Sequence, residues 1–457
     1  MAGISEQQPR KEEAADTSNA SVCATGETTP ATCIDDARFM RRAIALAWRG
    51  AGWTNPNPLV GCVIVRDGHV IGEGWHERYG CAHAERNALA DCARSAGIAQ
   101  DVSTDDAPAD PAYSCARDAT AYVTLEPCCH TGKQPPCTDA LIAAGVTRVV
   151  VGSRDPNPLV AGKGCAALRA AGIRVDTDVL RDECDQLNPV FFHFITTGLP
   201  YVVAKWAMSA DGKIACASGD AHWVSGPESR ADGHELRHRL AAICVGINTV
   251  LADDPMLTCR REGVESSQPV RVVLDSQLRT PVDCALVRSC AAGEAPLVVA
   301  TCANTRDGAS AVGGKAEQLR SCGVDVLHVP ANEHGHVAVR PLLSELGKRG
   351  IDSLLIEGGS HIHGAFFDED LVNEVVVYIA PKVVGGADAP SPVGGHGAAR
   401  MNDAVALGRA TSSVLGGDVK LVFAPASNAR VADQTPASRM GASCPSIQGG
   451  AVCSPAS

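Results

Sequence analysis

The sequence predicts a layered α/β protein of two domains between polar tails. Three observations carry this. The chain has 457 residues, more than one ordinary hydrophobic core accommodates. From about Asp35 to Pro425, short β-branched runs alternate with helical periodicities, the pattern of stacked sheet and helix layers. Both ends depart from it: residues to about Cys33 are rich in Ser, Thr, Glu and Gln, and those beyond about Pro425 in Ser, Ala, Pro and Gly, so both are expected to be disordered.

Hydrophobic residues make up 45% of the chain and charged residues 20%, the balance of a globular protein. No apolar run approaches the roughly 18 residues of a membrane span. The start is polar and acidic (Glu6, Glu12, Glu13, Asp16) and lacks the apolar stretch of a secretory signal. The 20 cysteines are scattered through a long chain, so most read as reduced thiols and the expected location is cytoplasmic. A net charge of −12 argues against a generic nucleic-acid binder, which carries a basic face. Anionic small molecules remain compatible through local arginines.

The elements follow in order. Phe39, Met40, Ala43, Ile44, Leu46 and Ala47 recur at helical spacing behind Asp35 and Asp36, acids suited to a helix N-terminus. Thr54 to Gly61 is a Pro-rich loop. Cys62 to Val65 reads as a strand, Arg66-Asp67-Gly68-His69 as a hairpin turn and Val70 to Gly72 as its return. A helix begins at His83. Residues 100–117, rich in Asp, Ala, Pro and Ser, read as a surface insertion. Ala121 to Leu125 is a strand, Thr138 to Ala144 a helix with Gly145 behind it, and Arg148 to Val151 a strand. After the loop from Asp155 to Gly164, a helix to Ala171 and a strand at Ile173 to Val175 close the first domain. A linker is expected near Thr196 to Pro200. Strands follow at Tyr201 to Met208, Ile243 to Gly246, Val270 to Leu274, Leu297 to Thr301, Leu354 to Ile356 and Val375 to Ile379, with helices at Glu228 to Leu240 and Arg340 to Lys348. The expected division is a tail to residue 33, domains 34–185 and 199–425, and a tail from 426.

The chemistry concentrates in Cys81-Ala82-His83-Ala84-Glu85 and Glu126-Pro127-Cys128-Cys129-His130 to Pro135-Pro136-Cys137. One imidazole and two thiols can hold Zn2+ with a fourth position left for water, the arrangement of a catalytic site. A glutamate beside the ligand histidine can shuttle protons, the H-x-E…P-C layout of zinc deaminases. The usual closing C-x-x-C is absent, because the gap from Cys128 runs through Cys129 to Cys137. Buried apolar thiols and a structural zinc site, which would want a fourth protein ligand, are the alternatives.

In the second domain Ile356-Glu357-Gly358-Gly359-Ser360 ends a strand and enters a helical stretch, Ile362 to Phe367. Glycines there admit a ligand close to the backbone, and a helix N-terminus attracts phosphate. This is not GxGxxG, and a Gly-Gly after a strand is more often a plain tight turn than a nucleotide site. The polar run Asn248-Thr249 to Asp253-Asp254-Pro255, with Arg260-Arg261, fits a nucleotide site or a solvated loop.

Together with Asn55-Pro56-Asn57-Pro58, Asp155-Pro156-Asn157-Pro158, Lys205 to Asp211-Gly212 and Leu251 to Pro255, these motifs resemble the bifunctional riboflavin-biosynthesis deaminase/reductase family. The resemblance runs from about Asp35 to Pro425, outside the tails and the insertion. It implies a cytidine-deaminase-like three-layer domain followed by a dihydrofolate-reductase-like α/β domain. The family's C-x8-C loop makes His83, Cys128 and Cys137 the zinc ligands, with Cys129 a bystander and Glu85 the catalytic acid–base. The first domain would hydrolyse the 2-amino group of 2,5-diamino-6-(5-phosphoribosylamino)pyrimidin-4(3H)-one. The second, an NADPH-dependent oxidoreductase, would reduce the ribosyl side chain to ribityl.

Carried over residue by residue, Ala207, Trp223, Thr249, Asp253, Ser276 and the run Gly359, Ser360, His361, Ile362, His363, Gly364, Ala365 fall on cofactor positions. Asn57, Lys205, Ala221, Arg237, Leu257, Arg260 and Glu357 fall on or near substrate positions. Ala221 departs from the family's usual serine, so a substrate hydrogen bond is lost there or taken over by Asp220 or His222. The implied partner is a phosphorylated pyrimidine in a homo-oligomeric enzyme, with neither nucleic acid nor membrane. Two rivals share part of the signal: a nucleic-acid deaminase, which the acidic balance disfavours, and a zinc-stabilised binding module, which would show four protein ligands.

Overall fold

The computed structural model describes residues 30–98, 111–305 and 310–424, with backbone alone at 30–34 and 111–113. The expected tails fall outside these residues at 1–29 and 425–457.

The first unit contains α1 (Pro30–Ala47), β1 (Gly61–Arg66), β2 (His69–Trp75), α2 (Ala84–Ser95), β3 (Thr120–Leu125), α3 (Cys137–Ala143), β4 (Arg148–Ser153), α4 (Lys163–Ala170), β5 (Arg174–Asp176), α5 (Arg181–Asp185) and α6 (Pro189–Thr197). Its sheet has the order β2-β1-β3-β4-β5, antiparallel at the hairpin and parallel from β3 to β5. The hairpin turns at Asp67 and Gly68, both left-handed (φ 51° and 74°), the conformation an Asp-Gly pair supplies. Side chains alternate along β1. Cys62 and Ile64 join Ala88, Leu89, Leu141 and Leu168 of α2, α3 and α4 on one face. Val63 and Val65 join Phe39, Met40, Ala43 and Leu46 of α1 on the other. This is the expected three-layer arrangement.

The second unit contains β6 (Tyr201–Ser209), α7 (Pro227–Arg239), β7 (Ala242–Gly246), α8 (Ile247–Asp253), β8 (Val270–Leu274), α9 (Ala285–Ala291), β9 (Leu297–Thr301), α10 (Ala311–Ser321), β10 (Asp325–His328), α11 (Val339–Lys348), β11 (Ser353–Glu357), α12 (Ser360–Asp368), β12 (Glu374–Ala380), β13 (Thr411–Leu415) and β14 (Asp418–Phe423). Its sheet runs β10-β9-β8-β7-β11-β6-β12-β14-β13. β10 to β12 in that order are parallel, and β14 and β13 add an antiparallel edge. The continuous apolar runs of β7, β11 and β12 suit strands covered on both faces. Leu342, Leu346 and Phe366 of α11 and α12 cover one side, and Leu236, Val250, Leu286 and Leu319 of α7 to α10 the other. The carboxyl ends of the parallel strands share one edge, where ligands bind in open α/β sheets.

Four expectations are corrected. The first helix starts at Pro30, before Asp35, because proline suits a first helical turn. The end of the expected surface insertion is core: Cys115 and Ala116 are buried with Cys92 and Ala93 of α2, and Arg66 Nη1 donates to the Cys115 carbonyl at 2.9 Å. Residues 99–110 of that stretch lie outside the described residues. The expected linker is a tight turn, since α6 runs to Thr197, Gly198 closes it in a left-handed conformation (φ 72°) and Pro200 is buried. The polar run at Asn248 to Asp253 forms α8, with Ile247 and Val250 facing the core.

Candidate active sites

The first site gathers at the amino ends of two helices. His83 is the residue before α2, in extended conformation (φ −75°, ψ 164°), which turns its ring off the helix axis. Cys128 follows β3 through Glu126-Pro127, and Cys137 opens α3. His83 Nδ1 lies 3.6 Å from Cys128 Sγ and 3.4 Å from Cys137 Sγ, and the three ligand atoms are all within 4.8 Å of one another. A tetrahedral zinc with ordinary Zn–N and Zn–S bonds sets N···S edges of about 3.5 Å. The spacing therefore fits zinc, and no other such group occurs among the described residues. The fit leaves a fourth corner open, and Cys129 stands outside the cluster.

The electrostatics divide the thiols. A hydrogen bond from Cys137, and after it the His83 ring, holds the Cys128 thiol well below its ordinary range, and the Cys137 amide donates to the same sulfur at 3.3 Å. Cys137 is pushed up by giving that hydrogen bond and by burial. Glu85, in the first turn of α2, is 3% exposed, and burial, then the neighbouring Cys128, raises its carboxyl.

The loop carrying Cys128 is anchored behind. Glu126 accepts from Gly162 N (2.9 Å) and Cys165 N (3.0 Å), occupying free donors at the start of α4. Gly164 lies under Pro127, and any Cβ there would run into the Pro127 carbonyl. Asn57 Nδ2 lies 3.1 Å from His76 Nε2, and His76 Nδ1 lies 3.1 Å from the Ala82 carbonyl. A carbonyl only accepts, so Nδ1 carries the proton and Nε2 accepts from Asn57. Burial pushes the His76 ring down to about 4, which keeps it neutral. The ring stacks edge-on to His83, with centroids 5.3 Å apart. Neither His76 nor Glu126 was singled out for a role in the sequence, since both act through folded contacts.

The second site lies where the carboxyl end of β11 meets the middle of β6. Lys205 and Glu357 are cross-strand neighbours, with Nζ 3.2 Å from Oε1. Arg237 of α7 donates to Glu357 Oε2 at 2.6 Å and to the Thr258 carbonyl at 3.2 Å. Arg260 donates to Thr258 Oγ1 at 3.0 Å, and Leu257 is buried in a left-handed conformation (φ 53°). Burial alone would raise the Glu357 carboxyl, but Arg237 and Lys205 hold it down to about 2. Two cations around one carboxylate leave a net positive charge. Ala221 sits apart in an exposed loop, where Asp220 is engaged with the His222 amide at 3.1 Å.

The expected cofactor residues divide. Gly359, Ser360 and His361 form the open first turn of α12, and a Cβ on Gly359 would meet nothing within 4 Å. Thr249 of α8 faces Gly358, whose added Cβ would lie 3.8 Å from Thr249 Oγ1. This open amino end of a nine-residue helix beside a cationic cluster fits a phosphate-bearing cofactor. Trp223 is 61% exposed under the Arg230 guanidinium, Asp253 is exposed at the end of α8, and Ala207 lies within β6. Ser276 Oγ accepts from Val337 N at 3.1 Å. Farther along α12 the surface closes. Ile362 is core, His363 reaches the Pro392 carbonyl at 2.9 Å, Gly364 lies against the Gly394–Gly395 backbone, and Ala365 packs on the core. The side chains of Ile362 and His363 therefore do not face an open cleft, and the Cα of Gly364 is covered by the Gly394–Gly395 backbone.

Residues 34–153 match the cytidine and deoxycytidylate deaminase zinc-binding region, and residues 200–421 match the RibD C-terminal domain. The riboflavin biosynthesis protein RibD of Actinobacillus pleuropneumoniae is 48% identical over 388 residues, covering 85% of this chain and 95% of that protein. The Escherichia coli RibD is 41% identical over 365 residues, covering 77% and 89%. Among solved structures, Acinetobacter baumannii RibD aligns with a TM-score of 0.72 at 35% identity, over 86% of this chain and 99% of that one. A Thermotoga maritima deaminase/reductase aligns at 0.71 and 33% identity with the same coverage. No helix among the described residues is long and apolar enough to cross a membrane. With relatives matched over most of their length and both domains in the expected order, the chain belongs to the RibD family, zinc- and NADPH-using bifunctional deaminase/reductases of riboflavin biosynthesis.

Proposed function

We propose that the first domain deaminates 2,5-diamino-6-(5-phosphoribosylamino)pyrimidin-4(3H)-one and the second reduces the product's ribosyl side chain, giving 5-amino-6-(5-phosphoribitylamino)uracil. The observation that carries the first step is the His83–Cys128–Cys137 cluster at zinc-edge spacing with Glu85 beside it. His83, Cys128 and Cys137 would hold Zn2+, which would supply the Lewis acidity that makes water a nucleophile near neutral pH. Glu85 takes a proton from the attacking water and delivers it to the departing 2-amino nitrogen, so ammonia leaves as C2 gains oxygen. Asn57, fixed through its Nδ2 by His76, keeps its Oδ1 for the pyrimidine.

In the second domain Arg237 and Arg260 bind the sugar phosphate as charge-assisted donors, and Lys205 with Glu357 frames the ribosyl group. NADPH supplies the hydride. Gly359 to His361 at the amino end of α12, with Thr249 facing Gly358, would hold its phosphates, and Asp253, Ser276, Ala207 and Trp223 are its further contacts in this reading. A homo-oligomer is supported by the open edge strand β13 and its exposed Val414. A cytoplasmic location is supported by the absence of paired cysteines among the described residues.

The test is to give the diaminopyrimidine to purified, zinc-loaded protein. Ammonia release should precede NADPH oxidation. Deamination that survives complete zinc removal, or NADPH oxidation that needs no deaminated intermediate, would overturn the reading.

A further inference from the structure

One short loop touches the supports of both sites. Ahead of Asn57, residues Ala51 to Asn55 press on the last turn of α7. Asn55 Nδ2 donates to the Arg239 carbonyl at 3.1 Å and reaches Asp352 Oδ1 at 3.4 Å. His238 accepts at Nδ1 from Ser267 N (3.1 Å), and its ring meets the Ala51 backbone. The Trp53 ring stands edge-on to His238 at 5.3 Å, and Gly52 lies so close that a Cβ would overlap the His238 carbonyl and ring.

These contacts grip the frame of the second site. Arg237 precedes His238 on α7, Asp352 leads into β11, whose far end is Glu357, and Ser267 follows the loop that holds Leu257 and Arg260. On the other side, Asn57 follows Asn55 by two residues. Asn55, Asn57, Arg239 and Asp352 also line a cavity of about 60 Å³. Close packing therefore does not fix the Asn55 side chain, and its hydrogen bonds do.

We infer that Asn55 is a positioning residue for both reactions, holding the Asn57 loop of the deaminase site and the α7–β11 frame that presents Arg237 and Glu357. The inference rests on the two-site function proposed above. Because one side chain bears on both sites, a change in its bonding shifts both affinities together.

The test uses the full-length, zinc-loaded chain with each half-reaction assayed alone, the deaminated intermediate being supplied for reduction. Asn55→Ala should raise KM for both reactions by about three- to tenfold, the worth of one hydrogen bond, with kcat and zinc content little changed. Asn55→Asp keeps the size but turns a carboxylate toward Asp352. Its larger rise in both KM values should ease when Asp352→Asn is added, a non-additivity expected of groups in contact. Movement of one KM alone overturns the inference. So does a fall in kcat at constant KM, which reports only a smaller folded fraction. If the unmutated chain lacks either activity, the function reading fails first and this inference with it.

Discussion

Gly164→Ala should loosen zinc without touching a ligand. Gly164 is the second residue of α4, and its backbone is helical, so alanine would by itself favour the helix by about 1 kcal/mol. The new methyl, however, would overlap the Pro127 carbonyl oxygen, with the Pro127 carbonyl carbon at 3.2 Å and Glu126 Cγ at 3.3 Å. Relief requires moving the Glu126–Pro127 segment, an overpacking cost of about 1–3 kcal/mol. Net stability should thus fall by about 0–2 kcal/mol. Cys128 is the next residue, so the same shift displaces its sulfur from the tetrahedron. Losing support behind a ligand costs about 10–100-fold in metal affinity. Chelator competition measures this directly. Gly132→Ala is the control, since that Cβ lies in the same loop with nothing within 4 Å. Equal zinc affinity in the two variants would refute the packing argument.

Three further outcomes are expected. Glu85→Gln should keep fold and zinc, lower deamination by about 10²-fold or more, and leave NADPH oxidation normal when deaminated intermediate is supplied. Loss of both activities in a folded variant would mean the two sites do not divide the chemistry. Arg260→Ala should raise KM for the reductase substrate about tenfold or more, as expected for a charged donor to phosphate, and an unchanged KM would remove Arg260 from the phosphate site. Asp352 is 2% exposed, and burial pushes its carboxyl up from 3.8 to about 6. A raised carboxyl costs the folded state in its ionised form, so the penalty starts above pH 3.8 and is complete above about 6, reaching about 3 kcal/mol. Asp352→Asn should therefore stabilise the protein more at pH 7.5 than at pH 5, and melting curves showing equal gains would contradict this.

Much of this was legible because local chemistry decided it. Asp67-Gly68 specifies its turn through backbone sterics, and the apolar runs at Val270 to Leu274 and Leu297 to Thr301 fix their strands. The zinc residues are separated in sequence but typed strongly enough to be paired by their motif. What stayed hidden depends on contacts across the fold. His76 acquires its part only when Asn57 and Ala82 approach it. Cys115 looked like insertion because its neighbours are polar, yet the space under α2 takes it in. α8 was obscured by its polar face, and β13 and β14 by a long irregular approach. The whole run from Gly359 to Ala365 falls on cofactor positions by resemblance, although a helical stretch is expected from Ile362. Folding turns it into a helix with only its first turn open.

The uncompensated cation beside Glu357 sits in a molecule whose total charge is −12. An approaching phosphate ester meets a repulsive halo first and an attractive mouth last. In dilute buffer, where screening reaches about 30 Å, the halo dominates capture. At physiological ionic strength the range shrinks to about 8 Å, and only the mouth is felt. Adding salt from a low starting value should therefore quicken substrate encounter with the reductase domain, opposite to the slowing seen where an enzyme and its substrate carry opposite net charges.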